Sequence, residues 1–159
     1  MKHRYLLFLS ILCSWLCTSC EFETSANGDL DGYWQLKTVV YNGAGNLNVP
    51  GVEPTDGSQT EDMVGKRLFW SFQVNLLQLS DQRFILPTYL FRFEHQGDSL
   101  FIRDPYEVDR AAADRPVTDA SVLAPYRLYG LEQRFCIERQ DDEAMWLKGD
   151  SLEYFFRKF

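Results

Sequence analysis

Histidine and cysteine are scarce in this 159-residue chain, with two of the first and four of the second. His3, Cys13 and Cys17 fall in the first 19 residues, so the remainder holds only Cys20, His95 and Cys136. Cys136 is the one thiol in the body of the chain, where a single cysteine closes no internal disulfide. One histidine and one cysteine also fall short of a zinc site of the common kind. Asp104, Glu107 and Asp109 lack the spacing of a calcium loop. No glycine-rich turn follows a strand and opens a helix, which excludes a phosphate cradle of the usual form. The longest apolar run, Tyr5 to Leu16, is about 12 residues against the roughly 20 needed to span a bilayer. Positive charge is in deficit, 16 basic against 23 acidic residues. That balance argues against nucleic acid as a partner and against a polybasic grip on anionic lipid.

What is present begins with a leader. Lys2, His3 and Arg4 make a positive start, Tyr5 to Leu16 the apolar stretch, and Thr18-Ser19 a small pair ahead of Cys20. This order resembles a bacterial lipoprotein signal, with Cys17 standing where a leucine is usual and Leu16 one place early. The resemblance implies that residues 1–19 are a signal peptide, removed to leave Cys20 as the first mature residue. Cys20 would then carry a thioether-linked diacylglycerol and an amide-linked acyl chain. Each buried methylene contributes about 0.8 kcal/mol, and more than one chain suffices for stable anchoring. Loss of Lys2 and Arg4 leaves 14 basic against 23 acidic residues, a net charge of about −9. The expected location is the cell envelope, as an outer-membrane lipoprotein facing the periplasm or the cell surface. Glu21 and Glu23 resemble the acidic export tags of some surface lipoproteins. Residues 20–29 read as a lipidated polar tether.

Residues 30–159 show no second change of composition and have the length of one domain. Their periodicity is that of strands. Tyr33 to Tyr41 opens the series and Asn42-Gly43-Ala44-Gly45-Asn46 ends that strand. Leu47 to Asp62, rich in Gly, Pro, Thr and Asp, reads as a loop over one end of the domain. From Arg67 to Leu79, Leu68, Trp70, Phe72, Val74 and Leu76 share one face, which predicts a single long strand. Arg83 to Leu86 follows after Ser80-Asp81-Gln82, then Tyr89 to Glu94, with Gln96-Gly97-Asp98 turning into Ser99 to Arg103 and Asp104-Pro105 beginning a connection. Thr118 or Asp119 caps a short helix that runs through Leu128 or Tyr129 and that Gly130 stops, with Pro125 limiting its regularity. Leu131 to Arg139, Ala144 to Lys148 and Leu152 to Phe159 form a closing meander. The expectation is an all-β fold of about 7–8 antiparallel strands, with one short helix before the last three. Closing such a sheet into a barrel, or folding it into a strongly curved sandwich, removes its exposed edges. Cys136, inside an apolar run, is expected to be buried.

Gly32-Tyr33-Trp34 at the head of the first strand resembles the Gly-x-Trp of the lipocalin-like group of small β-barrels, and the likeness extends over residues 30–159. In that family the glycine permits the turn into the strand and the indole closes the barrel floor. An arginine of the last strand lies over the indole, a contact of about 0.5–2 kcal/mol, and Arg157 is the candidate here. The chain lacks the Thr-Asp-Tyr signature of true lipocalins, and its helix precedes the last three strands. It is more similar to the lipocalin-like domains of bacterial lipoproteins of unassigned activity. Trp70, Phe72, Tyr89, Phe91 and Phe93 are the ligand-binding candidates, since a barrel of about eight strands can hold one small ligand. The same side chains can equally fill the interior.

Gly-Asp-Ser-Leu occurs at 97–100 and again at 149–152. It is the tetrapeptide for which a family of serine esterases is named, but each copy sits where a hairpin turn is expected. The mature chain offers only His95 as a base. No catalytic residue, cofactor or metal ligand is assigned. The expectation is a non-enzymatic, lipid-anchored binding domain of the envelope. Its ligand would be a small apolar or amphipathic molecule or a glycan, taken at the barrel mouth. The alternative is an accessory lipoprotein with a filled barrel that binds another envelope protein.

Overall fold

The computed structural model describes residues 25, 27–42 and 57–159. The leader, Cys20, most of the tether, the turn after Asn42 and most of the Leu47 to Asp62 segment lie outside the described residues. Ten strands follow in order: β1 Gly32–Tyr41, β2 Gln59–Asp62, β3 Leu68–Gln73, β4 Leu76–Asp81, β5 Tyr89–Gln96, β6 Ser99–Glu107, β7 Arg115–Pro116, β8 Gln133–Gln140, β9 Ala144–Lys148 and β10 Leu152–Lys158. Eight of them form a closed antiparallel barrel in the order β10-β9-β8-β6-β5-β4-β3-β1, closed by β1 against β10. β2 pairs with the last residues of β1, and the two-residue β7 pairs with β6. No helix among the described residues is long and apolar enough to cross a membrane.

Alternation builds the wall and its core together. In β3 Leu68, Trp70 and Phe72 point inward, and in β8 Phe135 and Ile137 do. β1 switches face at a register shift between Leu36 and Thr38, so that Trp34 and Leu36, then Val39 and Tyr41, are all buried. Trp70 sits among aromatic rings, 5.0 Å from Phe156, 5.8 Å from Tyr154 and 6.0 Å from Phe135, centroid to centroid. Such pairs contribute about 0.5–1.5 kcal/mol each beyond their buried area.

Four sequence expectations require correction. The long strand from Arg67 to Leu79 is a hairpin of β3 and β4, turned at Val74-Asn75 with Val74 at φ 58°. The turn exchanges the faces, burying Leu77 and Leu79 and leaving Val74 and Leu76 outside. Arg83 to Leu86 is a loop: the Asp81 carboxylate accepts from the Arg83 and Ile85 amides at 2.8 and 3.3 Å, which holds the chain off any ladder. Cys136 is exposed, because Phe135 and Ile137 take the inward positions on either side of it. β6 also runs past Asp104-Pro105, where Asp104 at φ 52° accommodates a register shift, and it ends at Glu107.

Candidate functional site

Each end of the barrel is plugged by a short 3-10 helix. At the N-terminal end Gly28–Leu30 precedes β1, and Leu30 is buried. The Trp34 indole N–H donates to the Leu30 carbonyl at 2.8 Å. The Lys158 ammonium lies 5.0 Å from the Trp34 ring centre and donates to the Asp29 carbonyl at 3.0 Å. Gly32, at φ 135°, leaves the space the lysine needs: a Cβ there would come within 2.9 Å of Lys158 Cε. The cation over Trp34 is therefore Lys158 and not Arg157. Trp34 pairs with Lys158 across the β1–β10 ladder, and Gln35 pairs with Arg157. Residues paired in this way share a face of the sheet. Arg157 consequently stands outside, donating to Gln35 Oε1 at 3.4 Å and lying 5.5 Å from the Phe159 ring centre.

At the opposite end Asp119 caps the 3-10 helix Ala120–Tyr126 by accepting from the Ser121 amide at 2.9 Å. Of the two caps the sequence offered, Thr118 and Asp119, the second is used, and the helix ends with its cap Arg127, at φ 63°, before the expected stop at Gly130. Leu123, Tyr126 and then Leu128 are fully buried in the mouth. Tyr126 donates to the Pro87 carbonyl at 2.9 Å and meets the Tyr89 ring edge to face at 5.8 Å.

A charged clasp ties this plug to the wall. Glu61 of β2 accepts two hydrogen bonds from Arg127, one from the Lys66 ammonium and one, at 2.8 Å, from the Tyr41 hydroxyl. The Arg127 bonds, against some opposing burial, and those from Lys66 and Tyr41 hold the Glu61 carboxyl down at about 2. Burial, then the bond to the Glu61 carboxylate, pushes the Tyr41 phenol far above its ordinary range. The Glu61 bond raises Arg127 in turn. Tyr154, raised by burial, donates to the Arg127 carbonyl at 2.7 Å. At neutral pH the clasp is an ionised carboxylate held by two cations beside neutral phenols.

Next to the clasp lies a cleft of about 270 Å³. It opens because β6 pairs with β8 from Gln133 to Cys136, whereas β9 pairs only from Cys136 onward, leaving the start of β8 without a strand on that side. Tyr129 and Gly130 form one wall and the Gly149 to Leu152 turn the other, with the buried rings of Phe135 and Tyr154 beneath and Glu132 and Arg134 at the rim. Burial raises the Tyr129 phenol, so it too is neutral. The arrangement offers an aromatic floor, both signs of charge at the rim, and no evident nucleophile and base in contact. Among the described residues no cluster of three His, Cys, Asp or Glu side chains could hold a metal ion.

The closed eight-stranded barrel carries Gly-x-Trp at its floor, and the lipocalin-like domain family model matches residues 15–159. The chain belongs to that family. Among solved structures, this lipocalin-like domain is similar to a lipocalin-like protein from Bacteroides uniformis, at 19% identity and TM-score 0.54, over 83% of this chain and 100% of that one. It is also similar to an uncharacterized protein from Bacteroides eggerthii, at 17% identity and TM-score 0.50, over 82% and 99%. At those identities the likeness concerns the fold. No curated protein matches the chain.

Within the lipocalin-like domain, Trp70, Phe72, Tyr89, Phe91 and Phe93 are all at most 3% exposed. Phe72 meets Trp70 at 6.3 Å and Phe93 at 5.2 Å. Of their two possible roles these residues take the second, filling the barrel, and none lines the mouth cleft. Both Gly-Asp-Ser-Leu strings are hairpin turns, with Gly97 at φ 56° and the His95 Nε2–H donating to the Gly97 carbonyl at 2.8 Å. Neither Ser99 nor Ser151 is hydrogen-bonded to that histidine. The clasp residues Tyr41, Glu61, Lys66 and Arg127 carried no local signal, since Glu61 and Arg127 lie 66 positions apart.

Proposed function

We propose that this lipocalin-like domain is a non-enzymatic, lipid-anchored binding module of the cell envelope, taking a small amphipathic molecule or a single sugar ring in the mouth cleft. The observation that carries the reading is that the barrel interior is occupied by its own aromatic side chains. The cleft over Phe135 and Tyr154 is then a concave place where a ligand can reach an aromatic floor. Its volume suits a ligand at or below the lower end of ordinary small-molecule pockets, roughly 300 Å³. A flat ring would lie on Phe135 while its polar groups met Arg134, Glu132 or the Gly149 to Ser151 backbone.

Support for the anchor comes from the sequence Thr18-Ser19-Cys20. On this reading the anchored segment would lead into Gly28–Leu30 at the Trp34 end, opposite the cleft. Two experiments test the reading. Intact-mass analysis of native material is expected to find residue 20 as an acylated terminus; an unmodified chain that retains its leader refutes the anchor. A thermal screen with bile-acid-like amphiphiles, lipids and oligosaccharides is expected to give a ligand-linked rise in Tm that Phe135→Ala or Arg134→Ala reduces. No rise with any class refutes the ligand site.

The filled interior also favours a second reading, an accessory lipoprotein whose partner is another envelope protein. Crosslinking in native membranes followed by pull-down separates the two. A stoichiometric partner, together with a flat thermal screen, selects the second.

A further inference from the structure

The mouth cleft does not end at its own rim. Arg134, Phe135, Gly149 and Asp150 line it and also line a second, larger hollow of about 550 Å³ on the outer wall. Ser99 of β6, Cys136 of β8 and Lys148 of β9 stand directly opposite one another on three neighbouring strands. Residues paired in this way share a face, and this outward row is the floor of the hollow. Its banks are the two Gly-Asp turns, with Asp98 on one side and Gly149 and Asp150 on the other. Both turns are pinned: the Ile137 amide donates to the Asp98 carbonyl at 2.7 Å, and the Gly149 amide to the Leu152 carbonyl at 2.8 Å. The groove is preformed and loses little conformational freedom on binding.

The chemistry of the groove is mixed along its whole length. Phe135 stands at the junction with the cleft, and Gly149 lies against its ring, where a Cβ would be 3.6 Å from two ring carbons. Two cations, Arg134 and Lys148, are set among two carboxylates, Asp98 and Asp150, and none of the four is ion-paired among the described residues. Glu132 at the cleft rim and Glu138, the next outward position of β8 after Cys136, add two more acids. Nothing in that balance selects a ligand of net negative charge. Three ligand classes meet these walls differently. An amphiphile needs one wet end and one dry end, but polar side chains line the site on both sides of Phe135. A peptide strand needs a free ladder edge, and at Cys136 β8 is paired on both sides. A neutral sugar chain carries C–H faces and hydroxyls on every ring, and those hydroxyls donate to carboxylates and accept from ammonium and guanidinium groups.

We propose that cleft and groove form one extended site for a short neutral oligosaccharide. The inference rests on the cleft reading given above and extends it. One ring lies in the cleft against Phe135, and the groove, about twice the cleft's volume, takes the rings that follow over the Ser99, Cys136 and Lys148 row. The repeated Gly-Asp-Ser-Leu string then has a use without catalysis. One copy supplies Asp98 and Ser99 to the groove, and the other supplies Gly149 and Asp150 at the junction and Ser151 to the cleft.

The test reads the groove separately from the cleft. The full chain is titrated with neutral mono- to tetrasaccharides of glucose, mannose, galactose and N-acetylglucosamine. Tm is followed together with the rate at which iodoacetamide alkylates Cys136, measured by mass on the peptide that contains it. In at least one series the longer members are expected to raise Tm and, at ten times their Kd, to slow Cys136 alkylation about tenfold. The monosaccharide of that series should raise Tm less and leave the alkylation rate unchanged. Lys148→Ser and Asp98→Ser, both exposed and outside the cleft, should each weaken the trisaccharide about fivefold without changing monosaccharide binding. A saccharide that raises Tm equally at every length while Cys136 reacts freely overturns the groove and leaves the cleft reading standing. Protection of Cys136 by an amphiphile or a peptide, but by no saccharide, overturns the proposal too. So does a rise in Tm with amphiphiles alone, and no rise with any compound overturns both readings.

Discussion

Replacing Glu61 by glutamine keeps the shape of the clasp and removes its charge. The carboxyl is lowered from 4.5 to about 2 in the folded protein, and a depressed acid stabilises the fold fully above its unfolded value. That contribution is then lost as the pH falls through the folded one. At about 1.4 kcal/mol per pH decade, the wild-type carboxylate is worth about 3 kcal/mol at pH 7. The Glu61 and Arg127 side chains are 28% and 18% exposed, so solvent screens the pair only in part. At pH 3 the folded carboxyl is still mostly ionised while the unfolded one is protonated, and the contribution falls to about 1 kcal/mol. The difference in unfolding free energy between wild type and Glu61→Gln should therefore narrow by about 2 kcal/mol between pH 7 and pH 3. Other lowered acids, Asp81 and Asp141 among them, are common to both proteins and cancel in the comparison. Urea unfolding followed by tryptophan emission, at half-unit pH steps, measures the gap. A gap that stays constant with pH would refute the ionic account of the clasp and leave packing as the origin of any loss.

The floor of the barrel supplies a paired test: Lys158→Ala should cost about 1–2 kcal/mol, and Arg157→Ala less than about 0.5 kcal/mol, by the same unfolding assay. Equal costs would contradict the assignment of Lys158 to Trp34. Gly32→Ala should destabilise by at least about 1 kcal/mol, since its φ and the Lys158 stem both oppose a Cβ; a neutral result would count against the packed floor. Phe72→Ala should cost about 3–5 kcal/mol if the interior is packed, whereas a ligand-lining residue would tolerate it in the absence of ligand. Cys136 should react with a thiol reagent in the native state, and Cys136→Ser should abolish that part of the reaction. Protection until unfolding would restore the buried position.

Much of the wall was legible because strand alternation and turn chemistry are local. Gly97-Asp98 and Gly149-Asp150 turn where backbone-permissive residues stand, Asp119 caps where its side chain can reach an amide two residues on, and the last three strands run between such punctuation. The Val74-Asn75 hairpin was hidden because Val74, a β-branched residue that disfavours a positive φ, continues the apolar alternation and masks the turn signal of Asn75. A second trace was the adjacent pair Leu76-Leu77, at which the buried face changes over. Exposure of Cys136 was hidden because a period of two reads equally well from either neighbour until the core side is known.

By itself the amino-acid sequence pointed to an antiparallel, aromatic-cored shell, a barrel or a strongly curved sandwich, with a short helix before the closing meander, since these follow from periodicities and caps a few residues long; the Gly-x-Trp floor was implied by resemblance to the lipocalin-like group. Only the tertiary structure decided which cation covers Trp34, that the interior is filled, and that Glu61 meets Arg127 and a cleft opens beside β8. Each of those depends on register and closure between segments far apart in the chain. A shift of one position exchanges inside for outside without altering any local preference.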